Sequence, residues 1–350
     1  MSLSISSSDS VLWRRFFRLA AGTAAVTIGI VYAFVVLVDP WDALPLSPPL
    51  DRAPVTSNQR FAFPALARSQ KFDSAILGTS TSRLLRPAPL NDAFQARFAN
   101  LAMNAATAWE QTRLMSVFLR AHPNARNVIL GLDRVWCETG DSLSKLTPRP
   151  FPEWMYRPTA WRGYREVLNL YAMEEAGKEF GVLTGLKKED QGRDGYTDFL
   201  PPDAGYDRAR AAEKLRADGP VPPQGERDGP PAAWRFPAFD DLRILLTALP
   251  RQTETILFFV PYHRVRLPPA GDPSAQVWDE CKRRAVALAR EVGHTTVIDF
   301  MKPSPITDDD EAYWDALHYR VGVAARLTRD LAAARAGKVS ADYDILFAPR

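Results

Sequence analysis

The sequence predicts an α/β protein: a three-layer domain on a mostly parallel, five-stranded sheet, preceded by one transmembrane helix. Three observations carry this expectation. Short apolar runs of strand length recur between longer amphipathic stretches, the alternation of a parallel sheet covered by helices on both faces. One uncharged stretch near the amino end is long enough to cross a bilayer. The chain is 350 residues long and 46% hydrophobic, enough to bury a sizeable core. Its 44 Lys and Arg against 41 Asp and Glu give a formal net charge of +3 with no basic block, so nucleic acid is not expected as a partner.

Residues 19–38 (LAAGTAAVTIGIVYAFVVLV) carry no charge. At about 1.5 Å per residue they match a ~30 Å hydrocarbon core. Arg14, Arg15 and Arg18 precede them, and Asp39 and Asp42 follow. By the positive-inside rule residues 1–18 stay cytoplasmic and everything beyond Asp39 crosses the membrane. A cleaved signal peptide and a buried core helix are the rival readings. The apolar run exceeds the ~7–15 residues of a signal-peptide core, and no small-x-small site precedes VDPWDALP. The expectation is a single-pass anchor in a cell inner membrane whose lipid is held through residues 19–38, with the main domain periplasmic or otherwise extracytoplasmic. Residues 39–65 are proline-rich and aperiodic, suited to a semi-rigid tether.

Residues 66–350 are expected to form the α/β domain. Strands are expected at 72–77 (FDSAIL), 98–103 (FANLAM), 127–132 (NVILGL), 255–261 (TILFFVP) and 296–300 (TVIDF). Helices are expected at 110–121, 240–249, 277–292 and 319–334. Between them, residues 137–236 interrupt the alternation with expected helices at 161–184 and 207–217 and the segment GPVPPQGERDGPPAAW. So long a stretch is read as a helical insertion that shapes a groove or covers sheet edges.

The chemistry lies at strand ends, where open α/β sheets bind ligands. The first strand runs into Gly78-Thr79-Ser80-Thr81-Ser82-Arg83, and Trp314-Asp315-Ala316-Leu317-His318 stands just before the last helix. Asp315 and His318, three apart, can place a carboxylate beside an imidazole. A serine nucleophile needs such a base, and the base needs an orienting group. Ser80 also has a simple structural reading as a helix cap. Asp133 reads as a cap or as a partner of Arg134. His263, after the fourth strand, reads as a substrate contact. No His, Cys, Asp or Glu spacing suggests a metal, and no cofactor is implied. The two cysteines, Cys137 and Cys281, follow the third and fourth strands. If those strands are neighbours, the two can be bridged in an oxidising compartment; the alternative is two separate buried thiols, since cysteine packs as a small hydrophobe.

Strand–Gly-x-Ser at the start with Asp-x-x-His at the end resembles the SGNH/GDSL hydrolase superfamily. ILGTSTSR, NLAMNAATAWEQ, VILGLDRVW and WDALHYR are similar to membrane-anchored SGNH-like proteins of the bacterial cell envelope, a group related to alginate O-acetyltransferase proteins. The resemblance covers roughly residues 70–135 and 253–335. It implies a three-layer, flavodoxin-like SGNH domain with Ser80 as nucleophile, His318 as base and Asp315 as its orienter. Two blocks depart from the family. The oxyanion-hole glycine is replaced in Asn104-Ala105-Ala106, and Gly-x-Asn-Asp is replaced by Gly131-Leu132-Asp133-Arg134. Backbone N–H groups of Ser80 and Ala105, or the Asn104 side chain, are the expected substitutes. The resemblance thus implies a serine esterase or O-acyltransferase acting on acylated envelope glycans or related esters, with envelope proteins as further partners. The alternative is a non-catalytic glycan-binding or assembly protein on the same fold.

Overall fold

A computed structural model describes residues 7–349 apart from 143, 160 and 270. The chain divides into two compact units. One comprises the chain to Val55 with Thr159–Glu189; the other comprises Thr56–Pro158 and Asp190–Arg350.

The second unit holds the sheet. Its strands are β1 (Ser74–Leu77), β2 (Phe98–Asn100), β3 (Asn127–Leu132), β4 (Glu254–Phe259), β5 (Thr295–Asp299) and β6 (Asp344–Phe347). The order is β2-β1-β3-β4-β5-β6; the first five are parallel, and β6 runs antiparallel to β5. Five strands were expected, and the sixth is a short, half-exposed edge strand without a buried apolar run to announce it. Apart from Glu254 at the start of β4, the inner strands are buried throughout, Ala75-Ile76-Leu77 against Val128-Ile129-Leu130, as a sheet covered on both faces demands. The chain leaves β1 towards β2 on one side and returns to β3 on the other. The carboxyl ends of β1 and β3 therefore flank the crevice where doubly wound sheets bind ligands.

In chain order the helices are α1 (Ser7–Val38), α2 (Gln59–Arg68), α3 (Ser80–Arg83), α4 (Pro87–Phe94), α5 (Ala108–Ala121), α6 (Gly163–Glu166), α7 (Leu170–Leu183), α8 (Arg208–Ala217), α9 (Pro237–Ala248), α10 (Ala275–Val292) and α11 (Val321–Arg335). The α5 N-terminus is a capping box: Thr107 Oγ1 accepts the Glu110 N–H, and the Glu110 carboxylate accepts the Thr107 N–H. The expected tether differs from the structure. Residues 59–68 are helical and buried, with Phe63 and Ala67 wholly enclosed. Asn58 starts this helix by accepting the Arg60 N–H at 3.2 Å.

In the first unit, α1 contains a 29-residue span, Ser10–Val38, whose most apolar 18-residue stretch has a mean hydropathy of 2.2, long and apolar enough to cross a membrane. Residues 39–55 fold back on its end instead of extending as a spacer. Asp39 accepts the N–H groups of Ala43 and Leu44 at 2.9 and 2.8 Å, and Arg52 Nε donates to the terminal Val38 carbonyl at 2.7 Å. The expected 161–184 helix is two helices. Asn169 restarts the chain as the N-cap of α7, accepting the Ala172 N–H at 2.8 Å.

Cys137 and Cys281 form a disulfide with a Cα separation of 5.4 Å, within the range a bridge requires. It ties the segment after β3 to α10 across a sequence separation of 144 residues. Replacing both cysteines by serine is expected to lower unfolding stability by about 2–5 kcal/mol. Denaturant unfolding of oxidised wild type against the double variant measures it; equal midpoints would refute the expectation.

Candidate active site

Ser80 stands where β1 ends. Gly78, at φ +140°, lets the chain turn sharply out of the strand, and the side chain of Ser80 is left part-exposed at the start of the short α3. Its neighbours point elsewhere. Ser82 is fully buried between Gly78 and Gly131, so close that a methyl group on either glycine would collide with its hydroxyl. Thr81 is buried as well. Of the hydroxyls from 80 to 82, only that of Ser80 is reachable.

Asp315 and His318 lie on the loop between β5 and α11. Tyr313 and Tyr319 bridge across this loop, and the Trp314 N–H donates to the His318 carbonyl at 2.8 Å. The buried Tyr319 hydroxyl donates to the Thr81 carbonyl, which ties the loop to the turn that carries Ser80. His318 Nδ1 faces both Asp315 oxygens at 3.0 and 2.9 Å, and its Nε2 faces Ser80 Oγ at 2.9 Å. A nitrogen that meets only carboxylate oxygens must carry hydrogen, which leaves Nε2 to accept the Ser80 O–H. Burial opposes ionisation of Asp315. The bonds and charge of His318 and the N–H groups of Leu317 and His318 outweigh it, and the carboxyl is held down to about 2. An ionised carboxylate, an oriented imidazole and a hydroxyl thus stand in hydrogen-bonded series, the arrangement that activates a serine for attack on a carbonyl.

Ser80 and His318 open on a cavity of about 400 Å³ whose wall includes Ala105, Ala106, Arg134, Val221, Tyr262 and Leu317. Val221 belongs to the 137–236 insertion, so part of that segment shapes the groove. Ala105 has φ +50°, the left-handed region that favours glycine, at the third position of a turn closed by the Ala106 N–H on the Met103 carbonyl at 3.2 Å. Beneath that turn Arg60 reaches the carbonyls of Asn104 and Ala105 at 3.3 and 3.4 Å. Its guanidinium is doubly bonded to Glu110, and both side chains are fully buried.

Asp133, at the carboxyl end of β3, caps the turn that follows, accepting the Val135 N–H at 3.2 Å. Thr79 Oγ1 donates to its other oxygen. Burial pushes the carboxyl up to about 6, against these two bonds and the charge of Arg134. The folded chain therefore holds this proton to higher pH than the unfolded chain, whose carboxyl titrates near 3.9. The sign follows: from this group alone, stability falls by roughly 2–3 kcal/mol as pH rises from 4 to 7. Asp133→Asn should remove that slope and be the more stable protein, relative to wild type, at pH 7 than at pH 4. Urea unfolding of both at the two pH values checks it, and parallel pH dependence would contradict it.

Two expected contacts lie elsewhere. His263 is 1% exposed and off the cavity. Its Nε2 meets Asp310 at 3.1 Å, its ring packs edge-on to Tyr313, and its N–H donates to the Ala316 carbonyl at 3.0 Å. It braces the Asp315–His318 loop instead of lining a groove, because Asp310 and Tyr313 hold its ring away from the cavity that its neighbour Tyr262 lines. The Asn104 side-chain oxygen is buried without a hydrogen bond, and the cavity wall at that turn is formed by Ala105 and Ala106. The sequence reading did not single out Arg60, Tyr262 or Val221. Tyr262, next to His263 at the end of β4, had the signal of position alone.

Comparison with protein-family models finds no match, and no curated protein matches the chain. Among solved structures the chain is similar to one described as "The structure of a putative platelet activating factor from Streptococcus pneumonia". The identity is 10% and the TM-score 0.38, with 78% of this chain and 89% of that one covered.

Proposed function

We propose that the protein is a membrane-anchored SGNH-like serine esterase or O-acyltransferase whose substrates are acyl esters of cell-envelope glycans. The observation that supports this most is the unbroken series from Asp315 through His318 to Ser80, with 2.9 Å on each side of the imidazole. In this reading His318 Nε2 takes the Ser80 proton as Oγ attacks the acyl carbonyl. The imidazolium then returns that proton to the leaving alcohol, and an acyl-serine remains. Water resolves it to a carboxylic acid; a sugar hydroxyl resolves it to a new ester. The oxyanion would be met by the N–H groups of Ser80 and Ala105, the latter presented by the left-handed turn.

The glycan and the envelope are expectations from the resemblance together with α1. Incubating the full-length protein with an activated acyl ester, with and without a sugar acceptor, tests the chemistry. Turnover that the acceptor diverts into ester product marks a transferase; turnover to acid marks an esterase. No turnover by folded protein would favour a non-catalytic glycan-binding role. Topology has its own test: a reporter active only outside the cytoplasm should work fused after residue 45 and fail fused before residue 15. The opposite pattern would remove the envelope substrate.

A further inference from the structure

The second membrane-relevant feature is a helix that is inside out for water. In α7 the inward positions include Glu175 and Glu179, 2% and 0% exposed, and Ala172 and Ala176. Glu175 is paired with Lys178 at 2.9 Å, and Glu179 accepts the Ala53 N–H at 3.2 Å. The outward positions recur at helical spacing and include Leu170, Met173 and Phe180, with Leu170 79% exposed, and the Glu174–Lys178 pair at 2.7 Å stands at the edge of that face. Just beyond the helix Leu186 is 83% exposed, and residues 180–186 (FGVLTGL) carry no charge. A helix on a watery surface buries the opposite face.

Its position supplies the occupant. Within this unit α7 packs on α1, with the Phe34 and Phe180 rings 5.6 Å apart, and Tyr32 of α1 donates to the Tyr164 carbonyl of α6 at 2.7 Å. Tyr32 and Phe34 precede the end of the apolar span, Val38, by six and four residues. At 1.5 Å rise per residue they sit ~9 and ~6 Å inside it, the depth at which interfacial helices bury their apolar face.

We propose that α7 and the turn after it form a second membrane-contact element, with Leu170, Met173, Phe180 and Leu186 immersed in the lipid of the leaflet that surrounds the end of α1. The occupant is the bilayer itself, because the stripe is continuous with a helix of membrane-spanning length. Trp161, exposed ahead of α6, has the residue type that settles at the headgroup level. This inference rests on the reading of α1 as a membrane anchor, and its test separates the two.

Because both native cysteines are engaged in the disulfide, an added cysteine is the sole free thiol for a nitroxide label. Full-length Met173→Cys, Phe180→Cys, Val26→Cys (inside α1) and Val339→Cys (93% exposed) would be labelled in vesicles of phosphatidylethanolamine and phosphatidylglycerol. Power saturation then compares collision with oxygen, which concentrates in lipid, and with a water-soluble nickel chelate. The expected result is an oxygen-to-nickel ratio at 173 and 180 close to that at 26 and several-fold above that at 339. Ratios at 173 and 180 equal to that at 339, with 26 still protected, would overturn the proposal and leave the anchor standing. A ratio at 26 as low as at 339 would overturn both.

Discussion

Ser80→Ala is expected to lower turnover of an activated acyl ester by on the order of 10⁴-fold or more, with an unchanged unfolding midpoint. The hydroxyl is part-exposed and makes its side-chain bond to His318 alone, so its loss opens no cavity in the core. His318→Ala should cost a similar factor, since without the base the hydroxyl proton has no acceptor. Asp315→Asn should cost less. It keeps an oxygen for the N–H groups of Leu317 and His318 but loses the charge that steadies the imidazolium. Ser82 offers no rescue, because it is sealed between Gly78 and Gly131. The three variants measured under single-turnover conditions check the order; Ser80→Ala at wild-type rate would remove the serine from the chemistry.

The second large effect concerns Arg60 and Glu110. Glu110→Gln leaves a fully buried guanidinium without its counter-charge and is expected to lower stability by about 3–5 kcal/mol. Glutamine can still serve the capping box, so the loss reports the charge rather than the helix end. Adding Arg60→Met removes the orphaned charge and should restore much of the stability. Activity should not return with it, because the Ala105 carbonyl then loses its Arg60 donor and the Asn104 carbonyl keeps only Arg149 at the turn behind Ser80. Stability and kcat of the single and double variants, compared in one cycle, decide it. Full recovery of both would make the pair a packing feature only.

The residues that reveal themselves in the sequence are those whose role is local. The cores of β1, β3, β4 and β5 are short apolar runs, and each falls within a residue or two of its expected place. Ser80 with Asp315 and His318 could be singled out because a strand end and a three-residue spacing place them without knowledge of the rest. The sequence left Cys137 and Cys281 open between a bridge and two buried thiols; the in-register pairing of β3 with β4 brings them together. What stayed hidden depends on distant partners. α2 contains Pro64 and follows a proline-rich stretch, which reads as a break. It stands because Phe63 and Ala67 are enclosed and Arg60 meets a glutamate 50 residues away. His263 sits at the expected strand end, yet its ring is directed by Asp310 and Tyr313, residues no local pattern connects to it. β6 is a four-residue edge strand whose pairing with β5 arises only after α11 brings the chain back.

In the proposed reaction Ser80 carries an acyl group. Full-length protein quenched in acid within the first turnover of an activated acyl ester, then digested and weighed by mass spectrometry, tests it most directly. The acyl mass is expected on the peptide containing Ser80, absent in Ser80→Ala and accumulating when no acceptor is supplied. Turnover with no acylated Ser80 peptide at any time, or an acyl group carried on another residue, would contradict it.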